Sequence, residues 1–267
     1  MKIIAIETSS IQGGVAILEI KNNSIVLQKG FPLKRGLVHG KLLVPALDKL
    51  LKEVHWRKDE IDLVAVDIGP GSYTGVRVGL AIAKTMAYAL KTKLVGVASL
   101  DILVGNIPKD GVHPVRSVER PRFRTPAGFV ISNVSASNGA YQYLCPIIDA
   151  RWNQVYAAIY KKSADGYKRQ TDYLAINPGD LVRLIRKHKG DFLLFGDGLR
   201  AYNDVFKGLA NRAEFGPERF WFPRARNIAT LGYESYKNGR QDNPLKLLPL
   251  YLRPTEAEFN LKNKKVK

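Results

Sequence analysis

The sequence is poor in the residues that carry most metal and covalent chemistry. Its one cysteine, Cys145, excludes a disulfide within the chain and fits a reducing compartment. Because Cys145 lies in an apolar run, a buried structural thiol is favoured over a nucleophile. The four histidines are scattered along the chain without the spacing of metal ligands. We therefore expect neither a metal site nor a catalytic residue in this chain.

Long apolar runs are also missing from the sequence. No stretch is long enough to span a bilayer. The first residues, 1–7, already include an acidic side chain at Glu7, which is unlike the start of a signal peptide. We expect a cytoplasmic protein without membrane contact.

Acidic residues are too few to balance the basic ones. The chain has 42 Lys and Arg against 24 Asp and Glu, a formal net charge of +18 and a pI near 9.9. This charge favours an anionic partner, with nucleic acid first. It is concentrated in a tail, 255–267, and in four arginines: Arg116, Arg120, Arg122 and Arg124. The alternative, a solvated basic surface that keeps the protein soluble, stays open.

A glycine-bearing loop, Gly69-Pro-Gly-Ser-Tyr-Thr-Gly75, joins two periodic segments. The apolar run 63–68 before it predicts a buried strand, and the run 76–90 after it predicts a helix. Free N–H groups at a helix N-terminus can hold a phosphate or a nucleotide. The residues predicted for a nucleotide or anion site are Glu7, Thr8, Gly69, Gly71, Ser72, Thr74 and Arg77. The loop is not a Walker loop, because no Gly-Lys-Ser/Thr sequence closes it.

The helix after the loop carries a small residue at every fourth position. The stripe consists of Gly75, Gly79, Ala83 and Ala87. Such a stripe lets a second helix approach closely. A third interpretation of the region is a tight turn followed by an ordinary core helix. The sequence alone leaves the anion site, the packing stripe and the ordinary helix open.

The order of predicted elements occurs twice along the chain. Three strands, a helix, a strand and a glycine corner fill the first hundred residues, and the same order restarts at a strand that ends in Asp149. We predict an N-terminal lobe (1–104), a basic insertion or loop (105–143), a second lobe (144–223), a C-terminal helix and strap (224–254) and a basic tail (255–267). The fold class is therefore α/β with duplicated β-β-β-α-β lobes.

Two resemblances follow from these patterns. A duplicated lobe with an acid ending its first strand resembles the actin-like ATPase (ASKHA, ribonuclease H-like) superfold of actin, sugar kinases and Hsp70. Several motifs are more specific: Ile6-Glu-Thr-Ser9, the loop from Gly69 to Arg77, Ile148-Asp-Ala-Arg151 and Leu250-Tyr-Leu-Arg253. In this order they resemble the bacterial YeaZ/TsaB family, which is related to glycoprotease-like proteins once classed as M22 peptidases.

The resemblance implies a non-catalytic subunit of the complex that forms N6-threonylcarbamoyladenosine at position 37 of tRNAs reading ANN codons. It implies pairing with the paralogous transferase subunit TsaD, joined by the ATPase TsaE, and a homodimer when the chain is alone. No cofactor is expected to bind tightly, although ATP or ADP can bind at the complex interface. Direct contact of the basic segments with tRNA is an additional hypothesis.

The resemblance also assigns site residues. The pairing surface would lie on two helices of the N-terminal lobe, at His39, Leu42, Leu43, Ala46, Leu50, Gly75, Gly79, Ala83 and Ala87. Asp149 and Arg151 would form a corner of the second lobe. One alternative is an active ATPase or kinase of the same superfold, which rests on Glu7, Thr8, the glycine corners and Asp149. Another is an M22-type peptidase. The peptidase is the least supported, because the sequence offers neither metal ligands nor an activated nucleophile.

Overall fold

The computed structural model of the protein describes residues 1–33, 39–108 and 141–253. Two basic segments proposed to contact tRNA lie outside the described residues: the tail 255–267 and the segment with Arg116, Arg120, Arg122 and Arg124. The side chain of His39 lies outside them as well. Within the described ranges, no helix combines the length and the apolar character needed to cross a membrane.

The described residues form strands and helices in the alternating order of an α/β protein. The strands are β1 (Lys2–Glu7), β2 (Gly14–Lys21), β3 (Ser24–Pro32), β4 (Leu63–Asp67), β5 (Lys93–Val97), β6 (Tyr143–Asp149), β7 (Val155–Ala157), β8 (Tyr160–Ser163), β9 (Gly166–Arg169), β10 (Leu174–Ile176), β11 (Phe192–Phe195) and β12 (Ala213–Phe215). The helices are α1 (His39–Glu53), α2 (Tyr73–Ala89), α3 (Ser99–Val104), α4 (Pro178–Arg186), α5 (Gly198–Ala201), α6 (Asn203–Phe206) and α7 (Ala225–Lys237).

These elements form two compact units. The first contains Met1–Leu103 together with the chain from Phe222 onward, and the second contains Val104–Trp221. The helix α7 therefore belongs to the first unit, although it follows the whole second unit in sequence.

The first unit is built on a five-stranded sheet with the order β3-β2-β1-β4-β5. β1 pairs antiparallel with β2 and parallel with β4, and β4 pairs parallel with β5. Alternate side chains of β1 enter two cores. Ile4 and Ile6 pack in the core beneath α1 and α2, whereas Ile3 and Ala5 pack against α7. Strands β1 and β4 are thus covered on both faces, which explains their nearly continuous apolar sequences.

The outer edge of β5 is covered by the segment 242–250. The carboxylate of Asp242 accepts a hydrogen bond from the N–H of Gly96 at 2.8 Å. The N–H of Asp242 donates to the carbonyl of Leu94 in β5 at 2.8 Å, and the N–H of Leu250 donates to the carbonyl of Ile68, just after β4, at 2.7 Å. The segment thereby occupies an edge that would otherwise present unpaired backbone groups.

The second unit repeats the strand order of the first. Its sheet runs β10-β7-β6-β11-β12, with β8 paired to β6 and β9 paired to β8 beside that path. β6 pairs parallel with β11 and antiparallel with β7, as β1 does with β4 and β2. The predicted duplication is therefore confirmed.

Three details of the second sheet differ from the prediction. The second of the three strands expected in this half is interrupted after Ala157 and resumes at Tyr160 in the same register against β6. The third expected strand is divided into β9, which pairs with β8, and β10, which pairs with β7, and residues 170–173 between them belong to no strand. β12 was not predicted, because three residues carry too little periodicity.

Candidate functional site

Two buried carboxyl groups meet at the carboxyl ends of parallel strands β1 and β4. Glu7 and Asp67 are both fully inaccessible to solvent. The hydroxyl oxygen of Ser9 lies 2.8 Å from Oε1 of Glu7 and 2.7 Å from Oδ2 of Asp67. A hydroxyl has one proton to donate. Both contacts can be hydrogen bonds only if one of the two carboxyl groups is protonated and donates to Ser9.

The surroundings indicate which carboxyl group holds the proton. Asp67 accepts hydrogen bonds from the Ser99 hydroxyl at 2.6 Å and the Gly69 N–H at 2.7 Å. Burial raises the pKa of Asp67 to about 6, and these donors limit the rise. Burial, and next the nearby charge of Asp67, raise the pKa of Glu7 to about 8, despite hydrogen bonds from Ser10. At neutral pH the pair therefore holds one proton, on Glu7.

The glycines of the loop and of α2 fit the backbone that follows β1. A Cβ atom on Gly71 would lie 2.6 Å from the carbonyl oxygen of Ser9. A Cβ atom on Gly75 would lie 2.0 Å from the carbonyl oxygen of Thr8, and one on Gly79 would lie 2.2 Å from the Thr8 hydroxyl. The two glycines of the small-residue stripe, Gly75 and Gly79, are thus required for the close approach of α2 to the residues that follow β1.

Hydrogen bonds hold the same surfaces together. The Thr8 hydroxyl donates to the carbonyl of Gly75 at 2.7 Å. The N–H of Ser72 donates to the carbonyl of Ser9 at 2.7 Å, and the Ser72 hydroxyl caps α2 by accepting from the N–H of Gly75 at 3.2 Å. The segment after β1, the loop and the first turn of α2 therefore form one bonded structure.

This arrangement contradicts the predicted anion site at most of its residues. Glu7 and Thr8 are buried and bonded within the chain, so neither side chain can reach a phosphate. The N–H groups of Gly69 and Ser72 already donate to acceptors within the chain. The space in front of Gly71 is filled by the backbone of residue 9. An incoming phosphate would find these donors occupied and the carboxylate of Asp67 behind them.

The two remaining residues of that prediction are exposed but face elsewhere. Thr74 is exposed, and Ser72 takes the capping position instead. Nη1 of Arg77 donates to the hydroxyl of Tyr73 at 3.1 Å, and the guanidinium lies over the Tyr73 ring. That ring stacks on Tyr251 with centroids 5.4 Å apart. Arg77 is therefore engaged with an aromatic pair and not with the loop.

The predicted pairing surface is wrong for seven of its nine residues. These seven are buried in the core of their own unit: Leu43, Ala46, Leu50, Gly75, Gly79, Ala83 and Ala87. The apolar face of each helix covers the sheet, so it is not available to a partner. Leu42 is 39% exposed and stays a candidate, and the side chain of His39 lies outside the described residues.

The opposite faces of the two helices present a different set of side chains. A Cβ atom on Gly40 would lie 3.6 Å from Cγ1 of Val78, so the first turn of α1 packs on α2. Val44, one turn after Gly40, is 55% exposed. Ala81 and Thr85, on the side of α2 that carries Val78, are exposed as well. We call Val44, Ala81 and Thr85 the helix-pair face. The sequence spacing could have identified these three positions, because on each helix they lie next to the positions that form the buried face.

The predicted corner of the second unit is a hydrogen-bonded turn. Arg151 donates its backbone N–H to Oδ1 of Asp149 at 2.8 Å, and its side chain forms an ion pair with the same carboxylate at 3.3 Å. Asp149 donates its own N–H to Asp197 at 3.1 Å. Burial raises the pKa of Asp197. Arg151, Trp152 and Asn153 all have left-handed φ angles of 53–61°. These contacts fix the turn between β6 and β7.

Known proteins resemble this chain in both sequence and fold. Residues 31–116 match the family described as TsaD, tRNA N6-adenosine threonylcarbamoyltransferase. A Bacillus subtilis protein, tRNA threonylcarbamoyladenosine biosynthesis protein TsaB, is 26% identical over 97% of this chain and 96% of its own length. The Escherichia coli protein of the same description is 24% identical over 99% of this chain and all of its own.

Solved structures extend the likeness to the fold. The structure of YeaZ from Pseudomonas aeruginosa superposes with a TM-score of 0.68 at 19% identity, and covers 94% of this chain and 99% of that one. The duplicated α/β architecture is that of the actin-like ATPase superfold. Along nearly its whole length, the chain resembles the bacterial YeaZ/TsaB family.

Proposed function

We propose that this chain is a non-catalytic, cytoplasmic subunit of the complex that forms N6-threonylcarbamoyladenosine in tRNA. The observation that carries the proposal is the end-to-end similarity to two bacterial proteins described as TsaB. In the proposed complex a TsaD-like transferase supplies the chemistry, and a TsaE-like ATPase joins the pair.

The similarity to the transferase family supports the pairing. It covers residues 31–116, which include α1 and α2. When two chains share the same pair of helices, the same faces can meet across an approximate two-fold axis. The proposed contact is the helix-pair face, because it is exposed and the core stripes are not. In the absence of the transferase, a second copy of the chain would occupy that face as a homodimer.

Complementation tests the function. The chain is produced, together with the TsaD-like protein of the same genome, in a bacterium depleted of its own TsaB. Mass spectrometry then measures threonylcarbamoyladenosine in digested tRNA. We expect the modification to return. Its continued absence, with both proteins present in the soluble fraction, would overturn the proposal.

Calorimetry with ATP tests whether the free chain binds nucleotide tightly, and we expect no measurable heat.

Light scattering tests the surface. Val44→Arg places a charge in the helix-pair face, whereas Val26→Arg makes the same change on β3, and the two valines are 55% and 52% exposed. We expect Val44→Arg to weaken both the heterodimer and the homodimer, because an unpaired charge would be buried in the contact. Val26→Arg should leave both masses unchanged. If the two variants give the same dimer masses, the helix-pair face is not the contact surface.

A further inference from the structure

Two lysines of the second unit lie opposite each other on a hairpin. Lys161 of β8 and Lys168 of β9 are directly paired across the hairpin, and both are exposed. Like charges at directly opposed positions destabilise a sheet. Neither lysine has an ion-pair partner among the described residues. The hairpin therefore carries a repulsion that its own fold does not relieve.

The position of this pair on the sheet is set by its neighbours. Lys161 is also paired with Tyr143 of β6. Directly paired residues share one face of a sheet. The ring of Tyr143 stacks on Phe192, with centroids 4.7 Å apart, and meets the edge of His188 at 5.3 Å. His188 follows α4, so the two lysines point to the face where the C-terminal end of α4 lies.

The turn after α4 adds two further lysines beside the hairpin. Lys187 and Lys189 are both exposed. A Cβ atom on Gly190 would lie 1.9 Å from Oε1 of Gln142, so this turn packs against Gln142. The carbonyl of Gln142 accepts a hydrogen bond from the N–H of Lys162 in the hairpin at 2.9 Å. A single residue thus connects the turn with the hairpin.

We propose that a lysine face, formed by Lys161, Lys168, Lys187 and Lys189, binds the phosphate backbone of tRNA. This proposal rests on the proposed function for the identity of the nucleic acid. A phosphate placed between two opposed ammonium groups converts their repulsion into attraction. Protein contact surfaces are depleted of lysine, whereas lysine is a common ligand of phosphate. The formal net charge of +18 attracts RNA to the chain from a distance.

A charge reversal tests the lysine face. Lys168→Glu places a carboxylate opposite Lys161 and removes two phosphate-binding charges at once. The control, Lys93→Glu, makes the same change at an exposed strand lysine of the first unit. Fluorescence anisotropy with labelled tRNA measures the affinity of the isolated chain over a series of KCl concentrations. Thermal unfolding of the same variants measures their stability without RNA.

We expect Lys168→Glu to weaken tRNA binding at least tenfold at low salt, while its unfolding temperature rises because the repulsion is gone. The slope of log affinity against log salt should decrease by about 2, near 1 for each lost phosphate contact. In the control Lys93→Glu, the salt slope of tRNA affinity and the unfolding temperature should both change much less than in Lys168→Glu. A more stable variant that binds more weakly cannot be explained by misfolding.

Three results would overturn the proposal. One is an unchanged slope in Lys168→Glu, and another is an equal decrease in both variants, which would mark a diffuse charge effect. The third is displacement of tRNA by polyglutamate as effective as displacement by unlabelled tRNA, which would indicate an acidic protein as the partner. The binding assay uses the isolated chain, whereas complementation measures the modification of tRNA in the cell. A negative result in either experiment therefore does not overturn the conclusion drawn from the other.

Discussion

Replacement of Glu7 by glutamine should stabilise the protein, and the gain should depend on pH. Glutamine keeps the shape of the protonated side chain, and its amide NH2 can donate to Ser9 in place of the shared proton. That NH2 cannot accept from the N–H of Ser10, so this one hydrogen bond is lost. Glutamine removes the cost of ionising a carboxyl group that is fully buried beside Asp67. The substitution therefore isolates the shared proton from the packing around it.

The magnitude follows from the pKa. In the fold the pKa of Glu7 rises from 4.5 to about 8. Because the folded value is the higher one, the stability linked to Glu7 is complete below pH 4.5 and is lost as the pH rises through about 8. A pKa change of one corresponds to about 1.4 kcal/mol, so the loss is on the order of 4 to 5 kcal/mol once the pH exceeds 8.

Urea unfolding at pH 5, 7 and 9 provides the assay. The variant should be no more stable than the wild type at pH 5, and relative to the wild type it should gain several kcal/mol between pH 5 and pH 9. Glu60→Gln is the control, since Glu60 is exposed in an ion pair with Lys2 and a hydrogen bond holds its pKa below the usual value. That change should alter the stability little at any pH, because exposed ion pairs contribute little. An advantage of Glu7→Gln that is the same at pH 5 and pH 9 would refute the shared proton.

Further predictions concern packing, the thiol and the strap. Gly75→Ala should lower the free energy of unfolding by about 3 kcal/mol, because the added Cβ would lie 2.0 Å from a backbone oxygen. The control is Gly40→Ala, whose Cβ would lie 3.6 Å from its nearest neighbour. Thermal unfolding should show little change in this control. Cys145 is fully buried and burial raises its pKa, so a thiol reagent should modify it only at the rate of unfolding. Asp242→Ala should cost about 1 to 3 kcal/mol and accelerate amide exchange at Gly96, whose N–H loses its acceptor.

The topology could be predicted because strand patterns and turn residues repeat in the same order in both halves. The start of α2 was predicted at Val76 but lies at Tyr73, since the Ser72 cap adds residues 73–75, which contain no aliphatic side chain to continue the helical pattern. In the second sheet, the break between β9 and β10 leaves no trace in the hydrophobic pattern. Such irregularities depend on tertiary pairing.

The site was harder to predict than the fold. Asp67 lies inside an apolar strand, and only its polarity there could have indicated a partner on β1. The hydroxyl of Ser99, the first residue of α3, donates to Asp67, and no motif in the sequence marks that role. The interface prediction failed because a small-residue stripe looks the same whether it packs on its own sheet or on another chain. Gly79 shows which applies here, since its neighbour is Thr8.

The division of the first unit between the two ends of the sequence has a consequence for synthesis on the ribosome. Its sheet lacks the cover provided by α7 until residue 237 has emerged, and the edge of β5 stays bare until residue 250 follows. The second unit is continuous from Val104 to Trp221 and is complete earlier. The first unit therefore cannot complete its fold in the usual order, with the N-terminal domain first. Its sheet is made early, but one face stays open until the last part of the chain has been made.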